Sequence, residues 1–154
     1  IDNAPTGFVR SLLSDVSCPV LVVPNKYLQF NNIVLLYDGS PSSIHAIRTF
    51  SYLFKSIGKK DTEVVTVVPS NRHKEVPDNM LMKEFMKFHF PEAHFISLTG
   101  NPEMEIVDYL RKKGSHSLVV LGAYQRSTLS RWFKHSMADT LMEELTLPIF
   151  VSHI

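Results

Sequence analysis

The chain has 154 residues, of which 44% are hydrophobic and 20% charged, and its mean hydropathy is zero. This composition suits one globular domain with a sizeable core and excludes wholesale disorder. Sixteen basic against fifteen acidic residues leave a formal charge of +1, so we expect no nucleic-acid partner. No apolar run approaches the ~20 residues of a membrane span, and we expect no membrane partner. The single cysteine, Cys18, excludes an internal disulfide and fits a reducing compartment, which predicts a cytoplasmic protein.

Short apolar runs alternate with helical patterns along most of the chain. The predicted strands are 33–37, 63–68, 94–98, 117–121 and 149–151, and the predicted helices between them are about 41–57, 78–90, 102–113 and 128–144. Ser40-Pro41 and Asn101-Pro102 are typical helix starts, and Gly58 and Gly114 are typical stops. Repeated strand–helix units with apolar strands predict an α/β fold, an open doubly wound parallel sheet of five strands. A closed eight-stranded barrel needs far more chain.

The first 24 residues precede this plan and resemble the end of the chain. An offset of 129 positions, from Pro19 to Pro148, aligns residues 11–22 with residues 140–151. Both stretches have an amphipathic helix, a turn, a proline and a β-branched strand, although few residues are identical. Any helix–proline–strand ending has this pattern; the alternative is that residues 1–24 are the last helix and strand of a preceding domain copy. Residues 25–31 are then a linker, and the strand 20–23 pairs with the final strand or mediates dimerisation.

Two loops carry chemistry that suits a ligand, because ligands of doubly wound sheets bind beyond the carboxyl ends of the strands. The first strand is followed by Asp38-Gly39-Ser40, which fits a binding carboxylate as well as an ordinary helix cap. The fourth strand is followed by residues 122–128, a loop with glycine and hydroxyl side chains that leads into a helix. Such a loop offers backbone N–H groups to an anion.

Residues 32–40 with Ala46 closely resemble the opening of the universal stress protein family. Gly100-Asn101-Pro102 and residues 118–122 are similar to its third helix and fourth strand, and residues 147–151 to its last strand. Residues 18–23 resemble that last strand better still. The resemblance assigns residues 32–154 to one universal stress protein domain and residues 1–24 to the tail of another. It implies a flavodoxin-like, Rossmann-like sheet of the adenine nucleotide alpha hydrolase type, a role in stress resistance, and a homodimer or interdomain pair through the last strands.

The resemblance also implies a nucleotide site. Family members that bind ATP carry Gly-x-x-Gly, nine residues, then Gly and Ser or Thr; the first Gly corresponds to Gly122 and the hydroxyl to Ser136, which Met137 follows. Gln125 and His135 stand where the family has the second and third glycines, and their side chains fill space that the phosphates need. Asp38 corresponds to the adenosine-contacting Asp, and Val67 to the strand position whose backbone meets adenine. The sequence therefore fits a nucleotide-free member about as well as one that binds ATP with magnesium.

Other residues give weaker signals. The methionines and phenylalanines of residues 80–88 are typical of a core stripe, with an adaptable binding surface as the alternative. The seven histidines show no metal-ligand spacing, so no metal site is predicted. No nucleophile–base pattern or P-loop occurs, so we expect no catalytic residues and a non-enzymatic protein. The expectation is a regulatory or protective stress protein with a degenerate nucleotide loop. The alternatives are an ATP- or AMP-binding switch and a weak nucleotide hydrolase.

Overall fold

The computed structural model describes residues 5–26, 29–57, 60–68, 70, 79–122 and 137–154. The helices are α1 Gly7–Asp15, α2 Pro41–Leu53, α3 Asn79–His89, α4 Pro102–Lys113 and α5 Met137–Glu144. The strands are β1 Val20–Val22, β2 Asn32–Leu36, β3 Asp61–Val68, β4 His94–Thr99, β5 Ser117–Gly122 and β6 Ile149–Ser152. None of the described helices is long and apolar enough to cross a membrane.

The strands form one sheet in the order β1-β6-β5-β2-β3-β4. Strands β2 to β6 are parallel, and β1 pairs antiparallel with β6. The prediction of an α/β fold with an open, doubly wound, five-stranded parallel sheet and an additional N-terminal helix and edge strand is confirmed. The chain runs from β2 outward to β4 and then returns to the other side of β2 as β5. Strand order therefore reverses between β2 and β5.

Two helix starts have the predicted capping geometry. The hydroxyl of Ser40 accepts a hydrogen bond from the N–H of Ser43, and the side chain of Asn101 accepts one from the N–H of Met104. Each cap is followed by proline at the first helical position, where the missing N–H costs nothing. Gly114 ends α4 with φ 78°, a conformation that favours glycine.

Two predicted helices differ from the structure. Helix α2 ends at Leu53, and a 3₁₀ turn, Lys55–Ile57, replaces the predicted last turn. In α3, Met82 and Met86 are buried as the core interpretation requires, but that interpretation is wrong for Met80 and Phe88, which are 77% and 81% exposed. The buried stripe of α3 is narrower than the composition suggested, because Met80 and Phe88 lie on an exposed face of the helix. Of the predicted helix 128–144, residues 128–136 lie outside the described residues.

The core consists of two apolar layers, one on each face of the sheet. Alternate side chains of β2, for example Val34 and Leu36, face one layer with helices α4 and α5. The intervening side chains, Ile33 and Leu35, face the other layer with helices α2 and α3. Burial on both faces explains why β2 is apolar from Ile33 to Leu36.

The N-terminal segment completes one edge of the sheet. Val20 lies opposite Val151, Leu21 opposite Phe150 and Val22 opposite Ile149. The prediction that this strand pairs with the last strand is confirmed. None of the side chains described in residues 5–26 is buried, so the segment lies on the edge of a core built by the rest of the chain. Its assignment as the remnant of a preceding domain stays a prediction.

Phe150 provides a test of the core. Its ring is 2% exposed and lies 5.2 Å from the ring of Phe50 and 5.9 Å from that of Phe54. We expect Phe150→Ala to lower the free energy of unfolding by about 3–5 kcal/mol, because a cavity replaces these contacts. The exposed Phe88 is the control, and Phe88→Ala should change it by less than about 0.5 kcal/mol. Denaturant titration measures both; equal losses would contradict the placement of Phe150.

Candidate functional site

The carboxyl ends of β2, β3 and β5 meet where the strand order reverses, which is the usual ligand position in a doubly wound sheet. Leu36 lies opposite Val65, so continuing this register brings Asp38 level with Val67. Leu35 lies opposite Val120, and continuing that register places Gly122 opposite Tyr37, one residue before Asp38. The fold thus brings three of the predicted nucleotide-binding residues to one edge of the sheet.

Asp38 is fully buried at this edge. One carboxylate oxygen, Oδ1, accepts a hydrogen bond of 2.9 Å from the N–H of Ser40. This bond fixes the turn at Gly39, whose φ of 81° is in the region that favours glycine, and so orients the Ser40 cap of α2. Asp38 therefore has the structural role that the cap interpretation gave it.

Val67 and Met137 contribute to the same apolar layer, on the face that carries α4 and α5. Their side chains are 2% and 3% exposed, so neither side chain is available to a ligand. Continuing the alternation of β2, Asp38 falls on this face too. What these two residues offer at the edge is backbone, which agrees with the backbone role that the resemblance implies for Val67.

Gly122 is a glycine because the first turn of α2 leaves no room for a side chain. A Cβ atom built on Gly122 would lie 2.5 Å from the carbonyl carbon and oxygen of Ser42 and 2.7 Å from its hydroxyl. Backbone cannot move aside as the end of a flexible side chain can. The first glycine of the family's phosphate pattern is thus explained here by the packing of β5 against α2.

The remaining predicted residues, Gln125, His135 and Ser136, lie outside the described residues. The structure therefore places Asp38, Val67, Gly122 and Met137, and it does not place the loop that would hold the phosphates.

One buried polar cluster lies at the opposite end of the sheet and was missed by the sequence analysis. Glu63, near the start of β3, accepts a hydrogen bond of 2.7 Å from the hydroxyl of Tyr109 and forms an ion pair with the ammonium of Lys113. Burial is the largest cause that raises the pKa of Tyr109, and the hydrogen bond to Glu63 is the next largest. A glutamate inside an apolar strand run was the available signal, since a buried carboxylate requires partners. The two partners are four residues apart on one face of α4.

Two histidines, His45 on α2 and His89 on α3, have a lowered pKa. Burial and the nearby guanidinium of Arg48 lower the pKa of both His45 and His89. The hydroxyl of Ser51 donates to the carbonyl of Arg48 at 2.7 Å, so it accepts from Nδ1–H of His89 at 2.8 Å. In the described part of the chain, no three His, Cys, Asp or Glu side chains group in a way that could hold a metal ion.

No family model matches the sequence, and a search of the curated proteins finds no relative. The fold, however, is shared with solved structures. A universal stress protein from Archaeoglobus fulgidus has a TM-score of 0.67 and 18% identity over 94% of this chain and 52% of its own. UspA from Lactobacillus plantarum has a TM-score of 0.58 and 16% identity over 83% of this chain and 99% of its own. A universal stress protein in complex with cAMP has a TM-score of 0.62 and 15% identity over 82% and 98%.

These similarities define an α/β protein with the fold of the universal stress proteins. The resemblance found in the sequence motifs is thereby confirmed at the level of the fold. The chain spans about half the length of the Archaeoglobus structure, at 52%, but nearly the whole length of the other two, at 99% and 98%.

Substitution of Gly122 tests the close approach of β5 and α2. We expect Gly122→Ala to lower the free energy of unfolding by about 1–3 kcal/mol, because the added methyl group overlaps the Ser42 backbone. Gly7→Ala is the matched control, since a Cβ atom at Gly7 has no neighbour within 4 Å. Thermal and denaturant unfolding measure the change. A Gly122→Ala protein as stable as the control would show that the two backbones are farther apart than described.

The Glu63 cluster predicts an alkaline loss of stability. Because the pKa of Tyr109 is raised above its ordinary value of 10, its stabilising effect is complete below about pH 10 and declines as the pH rises further. Tyr109→Phe should flatten this decline and cost about 1.5–3 kcal/mol at neutral pH, since Glu63 loses a donor. Tyr52→Phe, at an exposed position of α2, is the control that should keep the decline. Denaturant titrations from pH 7 to about 11 distinguish the variants.

Proposed function

We propose that this chain is a regulatory or protective stress protein of the universal stress protein kind, which acts by binding rather than by catalysis. One observation carries the proposal: the fold of that family, with Asp38 and Gly122 at the point where the strand order reverses. The motif resemblance of residues 32–40 and 118–122 supports it independently, because these residues form the strand ends at that point.

The non-enzymatic part of the proposal rests on how the polar groups at this edge are engaged. Asp38 accepts from the backbone of Ser40, and the hydroxyl of Ser40 accepts from the backbone of Ser43. The hydroxyl of Ser43 in turn donates to the carbonyl of Ser40 at 2.8 Å. These groups hold a turn and a helix cap, and Asp38 accepts here from a backbone N–H of Ser40. A weak nucleotide hydrolase would require a nucleotide bound with a metal.

An adenine-nucleotide switch is the second candidate. It is favoured by the complex of a structural neighbour with cAMP and by the location of Asp38 and of the Val67 backbone at the same level of the sheet. Gln125 and His135 oppose it for ATP, because each replaces a glycine of the phosphate pattern. ATP with magnesium, AMP and cAMP are the ligands to test. In the leading proposal the loop is degenerate, and the protein acts through dimer or interdomain contacts at its last strand.

Analysis of bound nucleotide separates these candidates. Small molecules released by denaturing the freshly purified chain are identified by mass spectrometry, and ATP with magnesium, AMP and cAMP are titrated by calorimetry. We expect no stoichiometric nucleotide and no heat of binding. We expect the double variant Gln125→Gly/His135→Gly to gain ATP binding, because backbone can then approach the phosphates.

Two further variants assign the gained site. Added to the double variant, Asp38→Asn should abolish the gained binding, whereas Asp108→Asn, at an exposed position of α4, should leave it unchanged. Stoichiometric nucleotide on the parent chain would overturn the degenerate-loop proposal in favour of the switch. A double variant that remains unable to bind ATP would show that the two side chains are not what blocks the site.

A further inference from the structure

The pairing of the N-terminal segment with the last strand has an approximate two-fold symmetry. Under the offset of 129 positions, α1 ends at Asp15 where α5 ends at Glu144. Leu21 corresponds to Phe150 and lies directly opposite it. The flanking pairs are exchanged in the same way, since Val20 lies opposite Val151 and Val22 opposite Ile149. A ladder centred on equivalent positions is the one that a two-fold axis produces. The α1–β1 unit therefore occupies the place that a second α5–β6 unit would take.

One pair of equivalent positions on the two helices, Arg10 and Asp139, carries opposite charges. The guanidinium of Arg10 lies 3.5 Å from the carboxylate of Asp139 and 3.0 Å from that of Glu143. Position 10 plus 129 is position 139, so Arg10 contacts its own equivalent. The hydrogen bond from Nε2 of His153 to the carbonyl of Leu13 attaches α1 to the end of β6.

A second copy of α5–β6 at the same place would reverse the sign of these contacts. Asp139 would face Asp139 and Glu143 of the second copy, and the reciprocal contacts would also be acid against acid. Like charges at close range select against a partner even where single surface ion pairs contribute little to stability. The backbone ladder alone does not make this choice, because either β1 or a second β6 can supply the hydrogen bonds.

We propose that the α5–β6 edge is an interface that accepts a helix–strand unit with a basic residue at the position of Arg10 and rejects a second copy of itself. The α1–β1 segment fills this interface within the same chain, and Arg10 determines the specificity. This inference is independent of the proposed stress role and of nucleotide binding. It decides between the two pairing modes expected from the sequence, interdomain contact and homodimer, in favour of the first.

The segment contributes little to the core, against which Leu13 packs as a partly buried side chain. No described side chain of residues 5–26 is buried, whereas Leu141, Phe150 and Val151 on the other half of the interface are 1–2% exposed and belong to the two core layers. Helix α5 is held independently to α4 by the ion pair of Arg111 with Glu144 and by a hydrogen bond of 2.8 Å from Thr140 to Glu103.

Charge reversal in the full chain tests the role of Arg10. In Arg10→Glu, two attractions become repulsions, and we expect hydrogen-exchange protection of residues 20–22 to fall about tenfold. Reversing the acids as well, with Asp139→Lys and Glu143→Lys, should restore the protection. Lys83→Glu, the same charge change at an exposed position of α3, is the control and should have no effect. A fluorophore on Cys18, the single cysteine, reports the release independently. Unchanged protection in Arg10→Glu would overturn the proposal.

Sedimentation tests the rejection of a second copy. Val22→Pro should release β1, because Val22 lies opposite Ile149, whose backbone polar groups face β1, and proline lacks the N–H group that this pair needs. Exchange protection of β2, β3 and β5 verifies that the core stays folded. We expect the parent chain and Val22→Pro to be monomeric. We expect Val22→Pro/Asp139→Lys to form dimers with at least about tenfold higher affinity, since each introduced lysine would face Glu143 of the other copy and only the contact between the two residues at position 139 stays between like charges. A dimeric parent, or identical sedimentation of the two proline variants, would contradict the proposed selection.

Discussion

The burial of the central parallel strands on both faces is the constraint on which the rest of this structure depends. Strands β2, β5 and β6 are buried along almost their whole length, whereas the edge strand β4 has no buried residue, so helices must cover both sides of the central strands. Ile33, Val34, Leu35 and Leu36 are accordingly fully buried in succession. Right-handed crossovers between such strands leave few arrangements, and the reversal between β2 and β5 follows from the one that is adopted. The position of the candidate site is thus a consequence of how the core is closed.

Much of the fold could be predicted because its signals are local. Helix caps such as Ser40 and Asn101 act within three residues, and a buried strand is recognised from its own run of apolar residues. What could not be predicted depends on contacts between distant elements. Glu63 becomes a stable buried acid only when α4 brings Tyr109 and Lys113 to it, and Gly122 must be glycine only because Ser42 of α2 is adjacent. Phe88 is exposed because none of the elements in the described part of the chain covers its side of α3, which a helical pattern cannot reveal.

The candidate site was predictable to a smaller extent. The resemblance identified Asp38, Val67 and Gly122, and the register places all three at one edge of the sheet. In the structure, two of these residues have a structural role that requires no ligand. Asp38 orients a helix cap, and Gly122 allows a close packing contact. A motif shared with a binding family can therefore persist for structural reasons.

Helix α5 is the element on which the candidate site and the interface both depend. Its first residue, Met137, directly follows the predicted phosphate loop, and Asp139 and Glu143 on the same helix contact Arg10. The side chain of Met137 is fixed in the core, so the beginning of the helix cannot shift without a change in packing. A ligand can change the pairing of α1–β1 only by binding more tightly to one of the two states, paired or released. The candidate site and the interface are close in the sequence, because only two residues separate the end of the loop at Ser136 from the first interface carboxylate, Asp139. A nucleotide-free loop would leave the same helix as a fixed support, and the interface would then depend on charge alone.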